Sequence, residues 1–179
     1  MTLNELTHAQ EYRYRGKIVN LRLDDAVLPN GNHALREVVE HPGGVCIAAL
    51  TDERELLFVR QFRYPYGKVL LELPAGKLDK NGESPLEAGK RELREETGAV
   101  AAEYRSLGEL YPTPGYCDEI IHLYFAQNLT FGDTDPDEDE FLECERIPLD
   151  KAVQMVLNNE IADAKTQVAV LKVAALLQK

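Results

Sequence analysis

Residues 83–99 read ESPLEAGKRELREETGA and contain the signals that begin and end a helix. Ser84 is a favourable N-cap residue, Pro85 suits the first helical position, and a glutamate follows the cap at the capping-box spacing. Gly98 supplies a C-terminal stop, because glycine adopts the left-handed conformation without strain. We therefore predict a helix over 85–97.

The last turns of this predicted helix carry glutamates at neighbouring positions. Glu92 lies four residues before Glu96 and three before Glu95, so all of them can reach one face and their charges repel. They also lie near the helix C-terminus, where the macrodipole disfavours anions. A divalent cation between the carboxylates would explain the arrangement, and hard cations such as Mg²⁺ prefer oxygen ligands. The alternative is a solvated surface neutralised by Arg91 and Arg94.

The residues around these glutamates resemble the Nudix box, the signature of hydrolases of nucleoside diphosphates linked to another moiety. The matching positions are Gly76, Glu83, Arg91-Glu92-Leu93, Glu95-Glu96 and Gly98-Ala99. This sequence departs from the family pattern in two places. Six residues rather than five separate Gly76 from Glu83, and the small residue Ala99 stands at a position that is usually bulky and apolar.

The resemblance implies the fold class. It is a Nudix fold of the α/β (α+β) class, in which a mixed β-sheet is sandwiched between helices, with a small N-terminal β-hairpin domain. The resemblance also implies that Glu92 and Glu96 bind the metal, with Glu95 and the backbone carbonyl of Ala75 as further ligands. The expected ion is Mg²⁺, with Mn²⁺ as the alternative. Arg91 is expected to orient the glutamates through ion pairs without touching the metal.

Segments outside the box resemble the ADP-ribose pyrophosphatase branch of the family. These are Glu72–Gly76, Gln61–Arg63, Pro112–Gly115, the Asp118-Glu119 pair and residues 160–166. Pro114 stands sixteen positions after Gly98, where that branch carries a proline. The resemblance implies a set of candidate substrate-binding residues, which are Arg36, Arg63, Glu72, Pro114 and Glu119.

The resemblance to that branch implies that the general base is a glutamate in a loop far along the sequence. Here residues 133–140 form an acidic loop, in which Glu138 is the first candidate and Glu140 the second. A carboxylate can take the proton of the attacking water. The alternative is an exposed acidic loop that contributes only to solubility.

The N-terminal part of the chain is expected to form strands. Asn30-Gly31 predicts a hairpin turn followed by a return strand. Residues 41–44, His-Pro-Gly-Gly, end that strand. We therefore divide the chain into an N-terminal β appendage, residues 1–42, and a Nudix hydrolase domain, residues 43–179. In the branch named above such a hairpin forms a dimerisation domain swapped between subunits, so the resemblance implies a homodimer.

The composition restricts the partners and the compartment. The 179 residues carry 20 Lys and Arg against 31 Asp and Glu, a formal net charge of −11, which argues against nucleic-acid binding. No stretch approaches the roughly 18 apolar residues of a membrane helix, and the first residues lack the pattern of a secretory signal. The three cysteines are scattered and odd in number, which indicates a reducing cytoplasm.

The function implied by the resemblance is Mg²⁺-dependent hydrolysis of the pyrophosphate bond of ADP-ribose, giving AMP and ribose 5-phosphate. Two alternatives stay open. In the first, the substrate is another nucleoside diphosphate sugar such as GDP-mannose. In the second, the protein is a non-catalytic nucleotide-sugar sensor. Sensors of that kind tend to lose box glutamates, whereas this chain retains Glu92, Glu95 and Glu96.

Overall fold

The computed structural model of the protein describes residues 3–80, 82–135 and 141–178. The chain forms two compact units. Unit 1 comprises residues 1–43 and 111–120, and unit 2 comprises residues 44–110 and 121–179. No helix in the described part of the chain is long and apolar enough to cross a membrane.

Unit 1 is built on an antiparallel sheet in the order β1-β2-β3. The strands are β1 (Leu6–Arg15), β2 (Asn20–Val27) and β3 (His33–Glu40). The predicted hairpin joins β2 to β3, and Gly31 at its tip has the positive φ of 84° that glycine tolerates. Residues 111–120 attach to β3, because the Val39 N–H donates to the Tyr116 carbonyl at 2.8 Å.

The described part of unit 2 contains two sheets and three α-helices. Its strands are β4 (Gly44–Ala49), β5 (Glu55–Arg63), β6 (Lys68–Glu72), β7 (Ala75–Lys77), β8 (Ala99–Leu110), β9 (Ile121–Phe131) and β10 (Leu142–Pro148). Its helices are α1 (Pro85–Thr97), α2 (Leu149–Leu157) and α3 (Ala164–Leu177). One sheet has the order β7-β4-β9-β8 and is mixed, because β4 and β9 run parallel; the other has the order β10-β5-β6.

Strand β4 is buried on both faces, and its side chains alternate between two apolar cores. Cys46 and Ala48 pack in the core that includes residues of α2 and α3. Val45 and Ile47 pack with Leu93 of α1. An uninterrupted apolar run is the sequence signature of a strand covered on both sides. The predicted fold, a mixed sheet between helices with an N-terminal β-hairpin element, is confirmed.

Helix α1 begins and ends where its capping signals predict. The Ser84 hydroxyl accepts the N–H of Glu87 at 3.3 Å, and Gly98 has a φ of 69° while its N–H donates to the Arg94 carbonyl at 2.8 Å. Gly89 allows the helix to approach β4 closely, since a Cβ there would lie 2.5 Å from Cδ1 of Ile47. The helix is therefore fixed against the sheet by a position that has no room for a side chain.

Pairing between distant segments sets the ends of several strands. Strand β8 begins at Ala99 and β9 ends at Phe131, because these two residues pair. The short strand β7 forms because Ala75–Lys77 pairs with β4. These partners are distant in sequence, and local pattern does not specify them.

Candidate active site

Arg91 joins Glu83, Glu92 and Glu95 in one network. Its guanidinium donates to both carboxylate oxygens of Glu83, at 3.1 and 3.2 Å. Its Nη1 also donates to Glu92 at 2.7 Å and to Glu95 at 2.8 Å. Burial lowers the pKa of Arg91, but the hydrogen bonds to Glu83 and Glu95 and the charge of Glu92 raise it overall, so the guanidinium stays charged. Glu92 and Glu95 therefore converge on the same nitrogen atom.

The segment after β6 closes over the buried face of α1. Glu92 and Glu96 are only 8% and 4% exposed, which is unusual for carboxylates on a surface helix. The Ala75 N–H donates to Oε2 of Glu96 at 3.2 Å. At Gly76 a Cβ would lie 2.0 Å from Oε1 of Glu92 and 2.1 Å from its Cδ. The box glycine is thus required because the Glu92 carboxylate occupies the space that a side chain would need.

The C-terminal end of α1 is bonded to two other segments. Gly132 N–H donates to the carbonyl of Gly98 at 2.8 Å, and Asp135 N–H donates to the carbonyl of Glu95 at 2.9 Å. The Cys144 thiol of β10 donates to the carbonyl of Glu96 at 2.8 Å. These bonds fix the turn of α1 that carries Glu95 and Glu96.

The donors present fit a hard divalent cation. Glu92, Glu95 and Glu96 offer carboxylate oxygens, and the adjoining Ala75 offers a backbone carbonyl, which are the ligands that Mg²⁺ prefers. Among the residues that the structure describes, no three His, Cys, Asp or Glu side chains lie close enough to hold a metal ion by themselves. A cation would therefore also need oxygens from the backbone, from water or from a substrate.

A second charged cluster joins β5, β6 and α3. Arg63 donates to both oxygens of Glu72, at 2.7 and 2.8 Å, and Lys165 bonds Glu72 and also Asp163, the latter at 3.0 Å. Burial raises the pKa of Glu72, but the Arg63 hydrogen bonds and the Lys165 charge together hold it below its ordinary value. Burial lowers the pKa of Lys165, but the charges of Asp163 and Glu72 raise it overall. Glu72, Arg63 and Lys165 therefore carry their charges at neutral pH.

The other predicted substrate-binding residues lie in unit 1. Arg36 forms a two-bond ion pair with Glu5, at 2.8 and 2.9 Å. Glu119 lies 3.4 Å from Nδ1 of His41. Pro114 is exposed in the turn after β8. The prediction of a substrate role for these residues, and for Arg63 and Glu72, stays a prediction.

The predicted site and the structure differ at two sets of residues. Glu138 and Glu140, the candidate bases, lie outside the described residues. Lys165 and Thr166 were not predicted as site residues, yet Thr166 is fully buried and its hydroxyl accepts the Leu73 N–H at 2.9 Å. Asp163 is a local signal for the start of α3, since it caps the helix three residues before Thr166, but it does not indicate the contact with Leu73.

Comparison with known protein families gives a match that includes helix α1 and its glutamates. The model of the NUDIX domain matches residues 40–168, which is most of the chain. The chain belongs to the Nudix family. A second family model, the nucleoside diphosphate sugar hydrolase N-terminal domain, matches residues 5–39 of this Nudix protein.

Several known proteins match this Nudix chain over almost its whole length. It is 41% identical to the ADP-ribose pyrophosphatase of Bacillus subtilis, with 99% of each chain covered. It is 42% identical to the methanol dehydrogenase activator of Bacillus methanolicus, covering 93% of this chain and 90% of that protein. A solved structure titled as an ADP compounds hydrolase superposes with a TM-score of 0.86 at 25% identity, covering 99% of this chain and 97% of that one.

Proposed function

We propose that this Nudix protein hydrolyses the pyrophosphate bond of ADP-ribose to AMP and ribose 5-phosphate, with Mg²⁺ as its cofactor and Mn²⁺ as a substitute. The observation that carries the proposal is the convergence of Glu92 and Glu95 on Arg91 beside Glu96, which is bonded to Ala75. The choice of ADP-ribose is supported by the full-length similarity to the Bacillus subtilis enzyme.

The chain's own residues divide the work of the reaction. Glu92, Glu95, Glu96 and the Ala75 carbonyl would hold the cation, which when bound neutralises charge on the diphosphate and acidifies water. Arg91 orients Glu83, Glu92 and Glu95 through its hydrogen bonds to their carboxylates. A carboxylate must then accept the proton of the attacking water.

We assign that proton acceptor to the acidic loop, with Glu138 first and Glu140 second. The assignment is supported by Asp135, a described residue of the acidic loop, whose N–H donates to the Glu95 carbonyl on the turn that carries the box glutamates. We expect Glu138→Gln to lower kcat by about 10²–10⁴-fold, the usual contribution of a general base. Glu140→Gln should lower kcat by less than tenfold, since only one carboxylate accepts the proton.

Steady-state kinetics on both variants measure the difference. A larger loss in Glu140→Gln would assign the base to Glu140. Full kcat in both variants would place the base outside this loop.

We expect ADP-ribose to give the highest kcat/KM in a panel of nucleoside diphosphate sugars. The panel contains ADP-ribose, ADP-glucose, GDP-mannose and UDP-glucose, each assayed with Mg²⁺. A preference for GDP-mannose would support the alternative substrate. Absence of turnover with every compound, but binding of one of them, would support the sensor alternative.

We propose further that residues 1–42 form a dimerisation element and that the enzyme is a homodimer. Strand β1 is exposed over its whole length, and it lies at the edge of the unit 1 sheet. An exposed edge of ten residues offers backbone groups to a second chain. Tyr14 and Leu35 are exposed in the same sheet, at 59% and 64%.

A cytoplasmic location is supported by the free state of Cys46, Cys117 and Cys144.

The dimer predicts a defined mass in solution. Sedimentation velocity should give twice the chain mass of 20.1 kDa at micromolar concentration. Tyr14→Glu combined with Leu35→Glu should shift the species to a monomer, because buried charges oppose association. Val100→Glu, at an exposed apolar position of unit 2, is the matched control and should leave the mass unchanged. A monomeric parent protein would contradict the proposal.

A further inference from the structure

We propose that Lys165 and Thr166, at the start of α3, are positioning residues that set the affinity of the box for its divalent cation. They act by fixing the segment from Glu72 to Gly76, and the inference rests on the function proposed above. Neither residue belongs to the box, which ends near Gly98, and neither is close to it in sequence.

Thr166 holds this segment through its backbone. Its buried hydroxyl accepts the Leu73 N–H at 2.9 Å. The hydroxyl is held in turn by the first turn of α3, since Asp163 accepts the Thr166 N–H at 2.9 Å. A buried N–H without an acceptor is unfavourable, so Leu73 stays at the position that Thr166 dictates.

Lys165 holds the same segment through a side chain. Glu72, immediately before Leu73, is 1% exposed and accepts hydrogen bonds from Lys165 and Arg63. The Lys165 side chain is 12% exposed and spans from Glu72 to Asp163. Removing its charge would leave Asp163 without this ion pair and Glu72 with one fewer cation. Both ends of the contact are needed because buried charges require partners.

The position of Glu72 and Leu73 is transmitted to the cation site over a short stretch of chain. Pro74 follows with a φ restricted by its ring, and its carbonyl accepts the Ile47 N–H at 2.9 Å. Ala75 follows, donating its N–H to Glu96. Gly76 then passes against the Glu92 carboxylate. A displacement at Leu73 therefore moves both the Ala75 carbonyl and the Ala75 N–H that donates to Glu96.

Direct binding of Mn²⁺ without substrate tests the inference. Electron paramagnetic resonance of free Mn²⁺ gives the dissociation constant of the folded full-length chain. We expect Lys165→Met and Thr166→Val each to weaken Mn²⁺ binding about tenfold, the effect typical of residues that orient metal ligands. Thr166→Ser retains the hydroxyl and should bind within threefold of the parent protein.

A matched control lies on the same helix. Lys172 also donates a hydrogen bond to a backbone carbonyl, that of Leu107 at 2.6 Å, but Leu107 lies on β8. Lys172→Met should bind Mn²⁺ within twofold of the parent. Equal losses in Lys165→Met and Lys172→Met would overturn the inference, because α3 as a whole would then be responsible. If Lys165→Met does not fold, Mn²⁺ binding by Thr166→Val and Thr166→Ser tests the inference. Equal Mn²⁺ affinity in these two variants would overturn it.

A third variant separates this inference from the proposed function. Glu96→Gln removes a candidate ligand and should weaken Mn²⁺ binding more than either α3 variant. If Glu96→Gln weakens binding while Thr166→Val and Lys165→Met bind as the parent does, the positioning role is wrong and the metal site stands. If Glu96→Gln binds as the parent does, the assignment of the metal site is wrong, and the positioning role with it.

Discussion

Glu96→Gln should lower kcat for ADP-ribose about a thousandfold while the protein remains folded. Glu96 is 4% exposed and accepts the Ala75 N–H, and the amide oxygen of glutamine can still accept that bond. What the substitution removes is the negative charge that would attract the cation. Metal ions contribute several kcal/mol of charge stabilisation in the transition state, and about 4 kcal/mol corresponds to a factor of a thousand.

The control for this substitution lies on the same helix. Glu87 is exposed and its carboxylate contacts Lys90 at 2.8 Å, away from the Arg91 network. Glu87→Gln removes the same charge and should change kcat less than twofold. Circular dichroism and the urea midpoint establish that each variant is folded. Near-parental kcat in folded Glu96→Gln would show that this carboxylate does not serve the cation.

Gly76→Ala should lower kcat by at least a hundredfold with a smaller effect on stability. The added methyl would lie 2.0 to 2.5 Å from three successive atoms of the Glu92 side chain, so the whole carboxylate has to move. A displacement of about 1 Å at a reacting centre lowers rates by about 10²-fold. The direct readouts are kcat for ADP-ribose and the Mn²⁺ dissociation constant.

The steric explanation has its own control. At Gly132 a Cβ would meet no atom closer than the Gly98 carbonyl oxygen at 4.0 Å, so Gly132→Ala introduces the same methyl into open space. We expect kcat to change less than threefold in that variant. If Gly76→Ala also retains parental kcat, the close approach between residue 76 and Glu92 is not required for activity.

Local signals in the sequence were sufficient for the helix that carries the box. Ser84, Pro85 and Gly98 each act on the backbone within one turn, and the observed helix has the predicted ends. The spacing of Glu92, Glu95 and Glu96 also predicts their shared face. Whether that face is solvated or buried depends on the segment packed against it, and the structure buries Glu92 and Glu96.

Contacts between distant segments could not be derived from local pattern. Strand β7 exists because Ala75 pairs with Cys46, and a three-residue segment has no periodicity of its own. The bond between Thr166 and Leu73 joins residues 93 positions apart. Asp163 caps α3, but nothing local indicates which backbone N–H the Thr166 hydroxyl accepts. Such pairings require the fold to be known first.

The charge of the protein makes the cation central to the account. The chain carries a net charge of −11, and the substrate proposed for it is an anionic diphosphate. Arg91 is occupied by three glutamates, and Arg63 is paired with Glu72. A bound divalent cation would supply positive charge between the protein's carboxylates and the diphosphate. Substrate affinity and turnover should therefore depend on the metal.

The most direct test is product analysis of ADP-ribose turnover by metal-free protein before and after Mg²⁺ is added. Protein stripped with a chelator should leave ADP-ribose intact. Addition of Mg²⁺ should then release AMP and ribose 5-phosphate in equal amounts, as resolved by ion-exchange chromatography. Turnover that proceeds equally without metal, or intact ADP-ribose after Mg²⁺ is restored to folded protein, would contradict the proposed function.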